Sequence, residues 1–146
     1  MLTQKHRSNH LGIWGWLGGG RWGFERYLYI LHRVTGLGVL AYFVLHIGVT
    51  SMRTLGPSVW ARTMAQVEAP IFVLGEYLVF VAFGFHAVNG IRLVLLELGI
   101  SVGKPFEPVY PYRTSVHHQR PLAIAAMLLA VVVAALGGVN LLSLHQ

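Results

Sequence analysis

Two stretches of this chain, residues 34–52 and 121–144, contain no charged side chain, and a third, 70–91, contains only Glu76. A helix rises about 1.5 Å per residue, so with residues 28–33 joined to the first stretch each run is long enough to cross about 30 Å of hydrocarbon. Inside lipid every backbone N–H and C=O must be satisfied within the protein, which for runs of this length means helix. The expected fold is therefore all-α, an integral membrane protein with three transmembrane helices at about 28–52, 70–98 and 121–144. Composition agrees: 55% of residues are hydrophobic and only 11% are charged, against about 25% charged in an ordinary soluble domain. A single domain of 146 residues has too little interior to hide so much apolar surface.

Punctuation sets the boundaries. Arg53 and the pair Gly56–Pro57 end the first span, leaving 53–69 as a short polar connection. Pro70 suits the first turn of the second span, where a missing N–H costs nothing, and Gly99 suits its C-terminal cap. Residues 99–120 read as a loop rich in Pro, Tyr and basic residues, after which Pro121 opens the third span. The first 26 residues form a separate cytoplasmic or interfacial segment ahead of the anchor, 27–146. There Trp14, Trp16 and Trp22 sit among glycines, as indoles at headgroup level do. This segment does not read as a signal peptide, since its apolar run is short, glycine-rich and soon followed by Arg21 and Arg26.

The net charge of +6 does not point to nucleic acid, because the basic residues border the apolar runs instead of lining a groove. Lys5, Arg7, Arg21, Arg26, Arg33, Arg92, Lys104, Arg113 and Arg120 fall on one side of the expected topology; only Arg53 and Arg62 fall on the other. The positive-inside rule then places the N-terminus in the cytoplasm and the C-terminus outside. With no cysteine, the chain can hold neither an iron–sulfur cluster nor a disulfide.

Two histidines are the anomaly. His46 lies within the first apolar span and His86 within the second, where an ionisable side chain is costly and marks a functional position by default. Iron of a haem is the partner that suits an imidazole there; the alternative is an interhelical hydrogen bond. If Arg33 and Arg92 mark one level, His46 lies roughly 20 Å and His86 roughly 9 Å from it, a difference in depth of about 10 Å. That separation argues against one shared haem and for two, each taking its opposite ligand from a different chain. Gly90, Gly84, Gly36 and Gly38 would let a flat macrocycle approach the backbone, or serve as ordinary small-residue helix contacts. His32, Arg33 and Arg92 are placed to pair with haem propionates, with lipid phosphate as the competing partner for the arginines.

The sequences His32-Arg33-Val34-Thr35-Gly36 and His86-Ala87-Val88-Asn89-Gly90-Ile91-Arg92 resemble the paired signatures of the cytochrome b membrane-anchor subunit of succinate dehydrogenase and fumarate reductase. The resemblance is carried by residues 27–98. It implies half of a haem-binding helical bundle, completed by a second membrane-anchor subunit, with His86 as an axial ligand of haem b. By the same resemblance His32 and Arg33 contact a haem propionate and border a quinone pocket. Tyr29 stands where the family often has a serine contributing to that pocket. His46 resembles the first-span ligand of the two-haem type, which often uses menaquinone. The implied partners are a flavoprotein subunit, an iron–sulfur subunit and the second anchor, in the inner (cytoplasmic) membrane of a cell. The work of this chain would be electron transfer and quinone binding, with succinate chemistry elsewhere in the complex and the direction, succinate oxidation or fumarate reduction, open. Two alternatives remain at this level: the b-type anchor of another respiratory dehydrogenase, and a non-redox membrane protein whose histidines merely join helices. His117 and His118 in the second loop read as solvated residues near the membrane surface, with proton uptake or partner docking as the functional alternative.

Overall fold

The computed structural model describes residues 12–17, 23–111 and 113–144. Among these described residues five α-helices follow one another: α1 (Gly12–Leu17), α2 (Phe24–Ser51), α3 (Pro57–Val67), α4 (Pro70–Glu97) and α5 (Arg120–Leu144), with 3-10 turns at Met52–Leu55 and Ser115–Gln119. Three of them, α2, α4 and α5, are long and apolar enough to cross a membrane. Each exceeds the roughly 20 residues a bilayer core requires, so their ends extend to the interfaces, where the charged residues sit. Trp14 in α1 is 84% exposed; the expectation for Trp22, and for the Trp16 side chain, lies outside the described residues.

The span boundaries expected from sequence hold to within a few residues at each end. Pro70 occupies the first turn of α4. At its other end Gly99 adopts a φ of 81°, with its N–H on the Leu96 carbonyl at 2.9 Å and that of Ile100 on the Leu95 carbonyl at 2.9 Å. These two bonds make a Schellman cap, which needs the left-handed residue that glycine supplies. The connection 53–69 departs from expectation, since most of it is α3. Gly56 turns the chain at a φ of 107° and Pro57 then starts a new helix, so the pair both ends one helix and begins another. Val59, Trp60, Thr63, Met64 and Val67 lie on the partly covered face of α3, while Ser58, Arg62 and Gln66, four residues apart, lie on the exposed one.

The central helix is α4, with α2 and α5 packed against it. Small residues make the α4–α5 contact close: Ala123 and Ala126 are buried, Gly84 faces Val133, and a Cβ on Gly137 would overlap the Phe80 ring. Close approach of this kind is how helices pack where no water drives them together. Little else is buried. Leu28 and Ile30 are, but Leu37, Leu40, Phe43, Leu45, Phe83 and Leu128 are among many large apolar side chains that face outward. Lipid or further helices must cover that surface.

Candidate functional site

The first span's motif becomes intelligible once it is wound into α2. His32, Thr35 and Gly36 stand at i, i+3 and i+4, one face of the helix, and that face meets His86 of α4. The rings of His32 and His86 stack with centroids 4.0 Å apart and planes 8° from parallel. His86 Nδ1 lies 3.0 Å from the His32 carbonyl oxygen and 3.5 Å from Thr35 Oγ1. Thr35 Oγ1 in turn donates to the Leu31 carbonyl at 2.7 Å. A Cβ on Gly36 would come within 2.8 Å of His86 Cε1, so the imidazole occupies the space that a side chain at Gly36 would fill.

A carbonyl oxygen can only accept, so His86 Nδ1 carries the proton and donates. Nε2, which carries the lone pair in the tautomer protonated at Nδ1, has no hydrogen-bond partner among the described residues. A metal-ligating imidazole needs this state, with one nitrogen tied to a backbone carbonyl and the other free as a donor to metal. Nowhere among the described residues do three His, Cys, Asp or Glu side chains gather as for a free metal ion. A single imidazole with one nitrogen engaged by a backbone carbonyl is the kind of protein ligand that fits a haem.

The other expected site residues fall in distinct places. Arg33 points away from His86: its Nη1 donates to the Tyr29 hydroxyl, and both side chains are exposed on α2. The Arg33 and Arg26 guanidiniums each lie 5.4 Å from the centre of the Tyr29 ring. Tyr29 and Arg33 thus form one exposed polar unit beside, but not within, the His32–His86 pair. Gly90 faces His32, with room for ordinary contact at 3.6 Å, whereas Gly84 serves the α4–α5 packing and Gly38 borders open space. His46 is exposed, its ring 5.6 Å from that of Tyr42. His86 sits at the level of His32 to Gly36, so His46 lies 10 to 14 residues farther along α2, about 15–21 Å. This exceeds the roughly 10 Å expected with Arg33 and Arg92 at one level. With His86 beside residues 32–36, Arg92, six residues on along the antiparallel α4, lies ahead of Arg33 on α2, and the two arginines are not level.

Arg92 is only 5% exposed, and Asn89 is fully buried. Arg92 Nε donates to Asn89 Oδ1 at 2.9 Å and Nη1 to Gln119 Oε1 at 2.8 Å. Next to Gln119, Arg120 pairs with Glu25 at 2.7 Å. The start of α5 therefore holds both α4 and α2, and the start of α2, the end of α4 and the start of α5 share one end of the bundle. Sequence reasoning missed Asn89 and Gln119. The available signal was an amide side chain in the middle of an apolar run, three residues before an arginine. His117 and His118 are exposed, and with Phe106, Arg113, Thr114 and Pro121 they line an open cavity of about 640 Å³. At the opposite end Glu76, Tyr77, Phe80 and Asn140 border a cleft of about 470 Å³ between α4 and α5.

The model of the succinate dehydrogenase/fumarate reductase transmembrane subunit family matches residues 1–138. The chain is 28% identical over 86 residues to the succinate dehydrogenase 2 membrane subunit SdhC of Mycobacterium tuberculosis, covering 59% of this chain and 54% of that one. It thus spans about half the length of that relative. It is 30% identical over 92 residues to a succinate dehydrogenase hydrophobic membrane anchor subunit of Halobacterium salinarum, covering 62% of this chain and 67% of that one. A third relative, the anchor subunit of Archaeoglobus fulgidus, is 30% identical over 80 residues, or 55% of this chain and 68% of that one. No solved structure matches the chain.

Proposed function

The chain belongs to the succinate dehydrogenase/fumarate reductase transmembrane subunit family, and from that premise we propose that it is a haem b-binding anchor of a succinate:quinone oxidoreductase. In this reading it passes electrons from an iron–sulfur subunit to quinone. One observation carries the proposal: His86 Nδ1 is engaged by the His32 carbonyl, which leaves Nε2 as the nitrogen that can serve as a ligand. The haem, when bound, supplies a one-electron carrier inside the membrane.

His86 would hold the iron through Nε2. His32, stacked face to face on His86, would flank that ligand, and a second membrane-anchor subunit would supply the other protein ligand. His46, exposed and far along α2, is the ligand of a second haem shared in the same way. His32, Arg33, Arg92 and Gly90 would border the first haem, with the arginines as partners for its propionates. Tyr29 and Arg33, hydrogen-bonded and exposed together, line the quinone pocket, where a guanidinium and a phenol donate to the quinone carbonyls; menaquinone is a candidate substrate. A flavoprotein subunit oxidises succinate, and the iron–sulfur subunit docks on the face carrying nine of the eleven Lys and Arg residues. That face is cytoplasmic, so the C-terminus lies outside the inner membrane.

The test is a split between two assays on the purified complex. Loss of a charged hydrogen bond is worth about 1.5–3 kcal/mol; Arg33→Ala should therefore lower quinone reduction by roughly 10- to 100-fold and leave succinate oxidation by a soluble dye close to wild type. Equal rates of quinone reduction in variant and wild type would remove Arg33 from the pocket.

A further inference from the structure

We propose that His32 is a positioning residue whose ring sets the plane of the His86 imidazole, a role that rests on the reading of His86 as a haem ligand. The bond from His86 Nδ1–H to the His32 carbonyl fixes which nitrogen faces the metal. The plane of the ring is set by its torsion about Cβ–Cγ, which a single hydrogen bond restrains loosely. A group packed against the flat of the imidazole narrows that torsion further. The His32 ring is that group, 4.0 Å away and 8° from parallel. At the ring edge the missing side chain of Gly36 leaves just the space that Cε1 occupies. One residue thus acts twice on the same ligand: its backbone sets the tautomer and its side chain sets the plane.

The two roles separate experimentally, because every substitution at position 32 keeps the carbonyl. The angle between the planes of two axial imidazoles governs the splitting of the iron d orbitals. It is read as the largest g value of the low-spin ferric haem, and orientation by outer groups also tunes the potential of the iron. A propionate contact by His32 would depend on its nitrogens, whereas a stack depends only on a flat ring.

The experiment compares His32→Phe with His32→Leu in the purified complex, reading haem content, the electron paramagnetic resonance spectrum and the haem midpoint potential. The relevant signal is identified as the one lost in His86→Ala. His32→Phe should keep both the g value and the potential near wild type, whereas His32→Leu should keep haem but shift or broaden the g value and move the potential. If His32→Leu does not assemble, His32→Met makes the same comparison with an unbranched, ringless side chain. A wild-type spectrum in the ringless variant would overturn the proposal. So would an equal change in His32→Phe and His32→Leu, which would assign His32 a polar contact instead. Retention of every haem signal in His86→Ala is a different failure, that of the ligand assignment beneath it.

Discussion

Two histidines on the same helix, fourteen residues apart, meet opposite fates. His32 is packed ring to ring against His86 of α4, and its carbonyl accepts the His86 proton. His46 is exposed on the outer surface of α2, its ring tilted against that of Tyr42. The first region is assembled by this chain alone: the two motifs dock face to face and leave one nitrogen available. The second presents an imidazole with no wall around it. An ionisable side chain facing lipid is costly, so the His46 end needs a partner helix to be complete, whereas the geometry of the His86 end is already in place.

The comparison breaks first at His86. His86→Ala should lower the reduced b-type band of its haem by more than about 10-fold, measured by difference absorbance on purified complex. Gly36→Ala comes next. The added carbon meets the His86 ring at 2.8 Å, and relieving such overpacking costs about 1–3 kcal/mol. That corresponds to a haem affinity roughly 5- to 150-fold weaker, read by haem titration of the depleted complex. His46→Ala sharpens the contrast, because it should remove one haem of two and leave the His86 signal unchanged in position. One haem in wild type would make His46 a structural residue.

Smaller effects belong to the helix packing. Gly137→Ala forces the Phe80 ring aside and should destabilise the α4–α5 pair by about 1–3 kcal/mol, seen as a lower unfolding midpoint in detergent with the haem spectrum unchanged. The smallest effect is expected for Glu25→Gln. The bond to Arg120 is short but lies at an exposed end of the bundle, where salt and solvent screen it. The unfolding midpoint should stay close to wild type at physiological ionic strength, and a large fall would mean that the pair is sequestered in the assembled complex.

Much of the architecture was legible from local signals. Three apolar runs, Pro70 and Gly99 place α2, α4 and α5 to within four residues, because length, apolarity and cap chemistry act within a few residues of chain. The helix α3 was hidden by the Gly56–Pro57 pair, which reads as a turn and is equally a helix start. The site was half legible. An isolated histidine in an apolar span flags His86, but the pairing of His32 with it depends on the register of two helices 54 residues apart in sequence. Asn89, Arg92 and Gln119 form a cluster only after α5 returns to the same end, so no local pattern announces it. The separation of His46 from His86 was underestimated for the same reason: the register of α2 against α4 sets Arg92 level with a part of α2 ahead of Arg33, so the two arginines do not mark one height.

The most direct test replaces the ligand and then returns it. In His86→Gly complex the b-type band should fall, and free imidazole added to the membrane preparation should restore it by occupying the vacated position. A band undiminished in His86→Gly would show that the iron is held elsewhere and would contradict the account.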